Sequence, residues 1–333
     1  MKLVIYPAVE TERLERIAAV AAQTKIVNAE TEDEARASIS DADALFGRVT
    51  ALMLAAAPKL RWVQAPTVSL EHYVFPELVE HPLTLTNMRG IFSDVIADQV
   101  FGYIICFARN LHIYVRQQTR GKWEPVGGEG QRSTFLAGPG TVSAIDRAHG
   151  HLCDATLGVV GFGGIGREIA RRGRAFSMRA LAVDVDPGET TADVEWLRGM
   201  NALETLLSAS DYVVVTVPHT PETAGFFNRQ QFRKMRRDGY FINIGRGATV
   251  VLDDLTAALA AGEIAGAALD VYETEPLPAE HPLWQMENVI LTPHVAGYGR
   301  RIAGRHLNVF LDNLARFLGG EPLQNVVDKA CWF

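Results

Sequence analysis

The sequence predicts an α/β protein made of two doubly wound parallel-sheet domains. Three observations carry that expectation. Short apolar runs of strand type alternate with amphipathic helical stretches along most of the chain. One run, at 157–160, leads straight into Gly161, Gly163 and Gly166 and then into helix-forming residues. The chain has 333 residues, and at roughly 100–200 residues per domain that suggests about two domains.

In the first hundred residues, strands are expected at 2–6, 25–27, 44–47, 62–64 and 83–86, with helices at 12–23, 33–39 and 52–57. The first of these helices sets Leu14, Ile17, Ala18 and Ala21 on one stripe. No glycine fingerprint occurs here, so this half is not the nucleotide site. Residues 93–110 form a long helix that is too apolar for a surface (Val95, Ile96, Val100, Tyr103, Ile104, Phe107). It is read as the bridge into the second domain, partly buried or at a subunit interface. Residues 125–151 are dense in Gly and Pro without a period, and read as a long loop. That loop is either a mobile surface excursion or a lid or interface arm. Beyond it, strands are expected at 157–160, 179–183, 212–217, 240–244, 266–271 and 289–291. Helices follow at 202–208, 229–235 and 252–261, and an amphipathic helix at 300–318 comes last.

The composition is that of a globular enzyme, with 48% hydrophobic and 21% charged residues. A net charge of −7 argues against nucleic acid or an anionic membrane as partner. Cys106, Cys153 and Cys331 show no paired spacing, which fits a reducing compartment and predicts neither disulfide nor zinc site. No apolar stretch reaches about 18 residues, and no secretory core follows Met1, so a cytoplasmic protein is expected.

The order strand, glycine turn, helix is what a dinucleotide pyrophosphate requires. Backbone must approach it closely, and a helix N-terminus must present free N–H groups. Gly161, Gly163, Gly164, Ile165 and Gly166 are the expected contacts. Asp184 stands 18 residues after Gly166, at a strand end, where an acid accepts hydrogen bonds from the adenosine ribose. Asp186 adds a second negative charge that a 2′-phosphate would meet, so NAD is expected over NADP. Val217 and Pro218 follow a buried strand and wall the adenine. Thr220 either joins them or caps the next turn.

Three further strand ends carry charged groups. Arg246 lies between Gly245 and Gly247; Asp270 and Glu275 lie in ALDVYETEP; His294 lies in LTPHVAG. In a parallel sheet these ends share one edge, so an Arg, an acid and a His converge there. That set suits hydride chemistry on a small 2-keto or 2-hydroxy acid. Arg246 holds the carboxylate and polarises the keto oxygen. His294 donates the proton in reduction and accepts it in oxidation, and Glu275 pairs with the imidazole and fixes its tautomer. No metal is expected.

The stretches GFGGIG, FINIGRGATV, GAALDVYETEPLP and NVILTPHVAG together resemble the NAD-dependent D-2-hydroxyacid dehydrogenase family. The likeness is strong over 156–297 and looser at 85–90 and 96–98. It implies that the family's catalytic Arg, Glu and His fall on Arg246, Glu275 and His294, and its nicotinamide-side Asp on Asp270. Ile244 and Gly297 join the cofactor contacts. It further implies a Rossmann-type cofactor domain at 99–298, inserted into a flavodoxin-like substrate domain of 1–98 and 299–333. A hinge closes one over the other, and the protein is a homodimer.

The sequence departs from the family pattern at several points. Ala65-Pro66-Thr67-Val68-Ser69-Leu70 replaces a glycine-rich substrate loop. Asp98 stands for the usual Glu and His219 for the usual Leu, and Tyr298-Gly299-Arg300-Arg301 follows Gly297. Thr67, Val68, Ser69, Arg89, Tyr298 and Arg300 are therefore the substrate candidates. Formate dehydrogenases are set aside, because they carry Gln where Glu275 stands. The expectation is a glyoxylate/hydroxypyruvate-type or broader 2-keto acid reductase. The alternatives are an NAD(H)-sensing corepressor-like binding protein and a non-catalytic paralogue.

Overall fold

Strands that are apolar on both sides need cover on both sides. The computed structural model, which describes residues 1–70, 73–132 and 140–330, shows such strands in two separate all-parallel sheets. The chain divides into one unit of Met1–Ile91 with Gly299–Phe333 and another of Phe92–Tyr298.

The sheet of the first unit contains β1 (Lys2–Tyr6), β2 (Lys25–Asn28), β3 (Ala44–Gly47), β4 (Trp62–Gln64) and β5 (Thr84–Thr86), in the order β2-β1-β3-β4-β5. The helix Ile302–Gly319 belongs to this unit. Its Phe310 is fully buried and stacks on Phe46, with ring centroids 4.3 Å apart. After that helix the chain returns to the free edge of β5. There Val327 donates to the Leu85 carbonyl at 2.9 Å, and Asn87 donates to the Asn325 carbonyl at 3.1 Å. A buried polar knot fixes this arrangement. Asn313 donates to Gln64 Oε1 (2.9 Å) and to the Gln324 carbonyl (3.1 Å), and accepts from the Gln324 N–H (2.8 Å). Thr86 donates to the same Gln64 Oε1 and accepts from the Trp62 indole.

The sheet of the second unit contains β6 (Thr156–Val160), β7 (Arg179–Val183), β8 (Trp196–Arg198), β9 (Tyr212–Val215), β10 (Tyr240–Asn243), β11 (Gly266–Leu269) and β12 (Val289–Leu291). Their order is β12-β11-β10-β9-β6-β7-β8. The period of two is visible in β9: Tyr212 and Val214 face one core, Val213 and Val215 the other. The helix Ser93–Ala108 covers the first of these faces. It buries Ile96, Val100, Tyr103, Ile104 and Phe107 against Leu157, Val159 and Ile169. It is therefore a core helix lying wholly in the second unit, and the division falls before it rather than at residue 98. Its apolar surround comes from its own unit's sheet.

Other departures concern short elements. The three-residue edge strand β8 and the helices Pro76–Glu80 and Leu111–Gln118 carry too little periodicity to read. The 125–151 stretch is not all loop: Ser143 and Asp146 form a capping box that starts the helix Ala144–Ala148. Residues 133–139 of it lie outside the described residues, as does Cys331. Cys106 and Cys153 are free thiols. Among the described residues, no helix is long and apolar enough to cross a membrane.

Replacing Asn313 by Ala strands the Gln324 N–H and removes a donor from Gln64. A loss of about 2–4 kcal/mol is expected, since each buried group left unpaired costs roughly 1–3 kcal/mol. Thermal denaturation of Asn313→Ala, followed by circular dichroism, should begin several degrees below that of the wild type.

Candidate active site

The tight turn after β6 is shaped by contacts that exclude side chains. Gly161 has φ +93°, and a Cβ on Gly166 would stand 2.2 Å from the Gly161 carbonyl oxygen. Gly163 differs: no atom lies within 4 Å of where its Cβ would be. Internal packing does not demand glycine there, and the bare backbone leaves room for a ligand to come close. The helix Gly164–Ala175 begins at once, and Arg167 donates to the Gly163 carbonyl at 3.0 Å. The N–H groups of Gly164, Ile165 and Gly166 thus have no partner within the helix. Open space at Gly163 beside free N–H groups fits a pyrophosphate.

Asp184 sits at the end of β7 and is tied to this turn. Its Oδ2 accepts from the Phe162 N–H (2.5 Å), and its Oδ1 accepts from the Asp186 N–H (3.0 Å). Strand β8, unread in the sequence, brings a cation to the same strand ends. Asp184 donates its N–H to the Arg198 carbonyl at 3.0 Å, and the Arg198 guanidinium lies over the Trp196 ring at 4.7 Å. Beyond β9, Val217 packs partly against the core and Pro218 is exposed. Two threonines close that turn: the Thr223 hydroxyl donates to the Pro218 carbonyl (2.8 Å) and accepts from the Thr220 N–H (2.7 Å), and the Thr220 hydroxyl lies 3.3 Å from it.

Adjacent strands β10, β11 and β12 end in register, with Asn243 beside Leu269 and Leu269 beside Leu291. Arg246, Asp270 and Thr292 therefore leave neighbouring strands at one edge. Ile244 is buried, and Asn243 braces the Arg246 loop by donating to the Arg246 carbonyl at 3.0 Å. The Arg246 side chain is half-buried, and its Nη1 donates to the Gly245 carbonyl at 2.7 Å. Gly247 is pressed onto the next loop, where a Cβ would stand 1.8 Å from the Tyr272 carbonyl oxygen.

His294 Nδ1 donates to Glu275 Oε2 at 2.7 Å. This fixes the tautomer and leaves Nε2 as the atom that holds or releases a proton. The pair stays open to solvent, with side-chain exposures of 48% and 36%. Glu275 Oε1 accepts from the Tyr272 N–H at 2.9 Å. The single proton of the Tyr272 hydroxyl is shared between the carbonyls of Leu269 (3.0 Å) and Thr292 (2.9 Å). Burial pushes the Tyr272 hydroxyl's pKa upward, so it remains a donor.

Asp270 is 2% exposed and grips the loop around His294. Its Oδ1 accepts from the Thr292 hydroxyl (2.6 Å) and the Val295 N–H (2.9 Å), and its Oδ2 accepts from the Ala296 N–H (2.9 Å). Gly297 follows directly, against Phe92.

In the first unit, Asn87 joins two of the substrate-candidate segments. It donates from Nδ2 to the Val68 carbonyl (3.0 Å) and accepts the Arg89 N–H (3.1 Å). Thr67 donates its hydroxyl to the Ser69 carbonyl at 2.6 Å. Arg89 and Arg300 are exposed, and in the second unit Tyr298 is 81% exposed. Among the described residues, one possible metal-ligand group occurs: His151, Cys153 and Asp154, all exposed. It precedes β6 and so lies at the opposite edge of the sheet from the glycine turn.

Residues 101–296 match the family model described as D-isomer specific 2-hydroxyacid dehydrogenase, NAD binding domain. The chain is 33% identical to a glyoxylate reductase from Thermofilum pendens, over 89% of this chain and 84% of that one. It is 28% identical to glyoxylate/hydroxypyruvate reductase B from Cronobacter sakazakii, over 98% and 97% of the two chains. A solved D-isomer specific 2-hydroxyacid dehydrogenase from Xanthobacter autotrophicus, in complex with NADPH and MES, superposes with a TM-score of 0.80. It is 26% identical, with 99% of this chain and 98% of that one covered. The chain belongs to the D-isomer specific 2-hydroxyacid dehydrogenase family, and is an oxidoreductase with an NAD-binding domain.

Gly247→Ala tests the contact between the β10 and β11 loops. Backbone has nowhere to yield, so a loss of about 3 kcal/mol is expected, at the upper end of ordinary overpacking. Urea denaturation should show it.

Proposed function

We propose that the protein reduces a small 2-keto acid such as glyoxylate or hydroxypyruvate to its D-2-hydroxy acid with NADH. The observation that supports this most directly is the 2.7 Å bond from His294 to Glu275 at the edge that also bears Arg246. Arg246 binds the carboxylate and polarises the keto oxygen through its planar fork. When bound, the nicotinamide supplies the hydride. His294 delivers a proton from Nε2 to the keto oxygen, and Glu275 balances the imidazolium charge and holds the ring. The glycine turn and the helix N-terminus after it bind the pyrophosphate, with Val217 and Pro218 at the adenine and Ile244, Asp270 and Gly297 toward the nicotinamide. In the first unit, we assign selection of the acid to Thr67–Ser69 and the exposed Arg89.

The choice of NADH rests on Asp184 and Asp186. A 2′-phosphate near both would pay like-charge repulsion, although Arg198 supplies one cation in the neighbourhood and the Xanthobacter relative holds NADPH. We further propose a homodimer. It is supported by the helix Leu111–Gln118, which buries no residue, and by Val115 (60% exposed) and Trp123 (80% exposed) beside it.

Three measurements test this reading. With glyoxylate or hydroxypyruvate, His294→Ala should lower kcat by roughly 10²–10⁴, the range for loss of a general acid–base. Retained turnover would remove His294 from the chemistry. NADH should exceed NADPH in kcat/KM by on the order of 100-fold, because like-charge placement costs several kcal/mol. Equal use of both would overturn the Asp184 argument. Light scattering after size exclusion should give twice the 36.5 kDa chain mass.

A further inference from the structure

His294 occupies φ +52°, in the left-handed region that residues with a side chain avoid. The loop 292–297 has no regular secondary structure: the Thr292 N–H and carbonyl are held by the Leu269 carbonyl (3.0 Å) and the Tyr272 hydroxyl (2.9 Å), and within the loop the His294 N–H donates to the Thr292 carbonyl at 3.0 Å. Asp270 ties the two sides of His294 together: its carboxylate takes the Thr292 hydroxyl on one side and the Val295 and Ala296 N–H groups on the other.

That carboxylate is the end of a longer chain of donors. A threonine hydroxyl has one proton, and Thr292 gives it to Asp270 at 2.6 Å. The Tyr103 hydroxyl, 2.5 Å from Thr292 Oγ1, must therefore be the donor in that pair. Tyr103 in turn accepts from Gln99 Nε2 at 3.0 Å. Burial pushes the Tyr103 pKa upward and the Asp270 charge adds to the effect, so the phenol keeps its proton. Every donor points the same way, from Gln99 through Tyr103 and Thr292 to the anion. Charge-assisted bonds of this kind are stronger than neutral ones. Gln99 and Tyr103 are one helical turn apart on a helix whose buried face is otherwise apolar. A phenylalanine would fill the Tyr103 site without a polar atom to satisfy.

We infer that Tyr103 and Thr292 are positioning residues for His294: through Asp270, they fix the loop that aims the imidazole at Glu275 and at the substrate. The inference rests on the hydride-transfer reading above and deepens it. A residue some 190 positions upstream thus sets the geometry of the proton donor.

The test compares Tyr103→Phe, Thr292→Val and Thr292→Ser with the wild type, using NADH and glyoxylate or hydroxypyruvate. Loss of one neutral hydrogen bond should lower kcat by roughly 3–10-fold in Tyr103→Phe. Loss of the bond to the carboxylate should lower it by about 10–100-fold in Thr292→Val. Thr292→Ser keeps the hydroxyl and should retain most of the activity. The dissociation constant for NADH, read from fluorescence, should stay within about twofold in all three, showing that the cofactor fold is intact. Wild-type kcat in both Tyr103→Phe and Thr292→Val overturns the inference. So does a Thr292→Ser variant as damaged as Thr292→Val, or a loss confined to NADH binding. Absence of turnover in the wild type itself overturns the hydride-transfer reading, and the positioning of a proton donor falls with it.

Discussion

Parallel pairing is the constraint on which the second unit depends. A parallel ladder puts every strand's carboxyl end at one edge, and each returning helix hides a face of the sheet. Residues far apart in sequence then share a border a few strands wide. The glycine turn leaves β6, Asp184 leaves β7, and the loops of Arg246, Asp270 and His294 leave β10, β11 and β12. None of these groups needs a long-range contact of its own to arrive there. The sheet register delivers them, and short local bonds finish the placement.

Those local bonds divide into two kinds. Glycines allow backbone to press on backbone: Gly166 against the Gly161 carbonyl, Gly245 against that of Val217, Gly247 against that of Tyr272. Buried polar side chains then hold what has been brought close. Asn243 ties its own loop to Arg246, and Tyr272 connects the Leu269, Glu275 and Thr292 segments with one hydroxyl and one N–H. The exposed pair of His294 and Glu275 is thus carried on a buried frame. Solvent access suits a group that exchanges protons; a rigid frame suits one that must meet a substrate at a fixed angle.

Much of this was legible in the sequence because it follows from local pattern. Apolar runs marked nearly every strand, and the spacing Gly161, Gly163, Gly166 and Asp184 marked the turn and its acid. What escaped detection has no period. Strand β8 is three residues long, too short for its pattern to place Arg198. The helix Ser93–Ala108 is evident from its apolar run, but that apolar character does not say which surface it covers. By pattern alone Tyr103 belongs to its apolar face; the one polar cue is a hydroxyl with Gln99 one turn before it. By its place after a strand, Asp270 is expected to face the cofactor. The structure shows both of its oxygens also engaged by the His294 loop, which spacing along the chain does not reveal.

The first unit is assembled from both ends of the chain, and this governs the order in which it can be made. Asn313 meets Gln64 across 249 residues, and the stack of Phe310 on Phe46 spans a similar stretch. During synthesis, the Phe92–Tyr298 unit emerges whole and has all its own strands before the Ile302–Gly319 helix exists. The early strands β1–β5 must wait, with Phe46 and Trp62 lacking the helix that covers them. Domains fold as units during synthesis, and uncovered apolar surface is where aggregation begins. On a ribosome, therefore, the second unit should be the first to finish, and the amino-terminal sheet should stay vulnerable until the last helix docks.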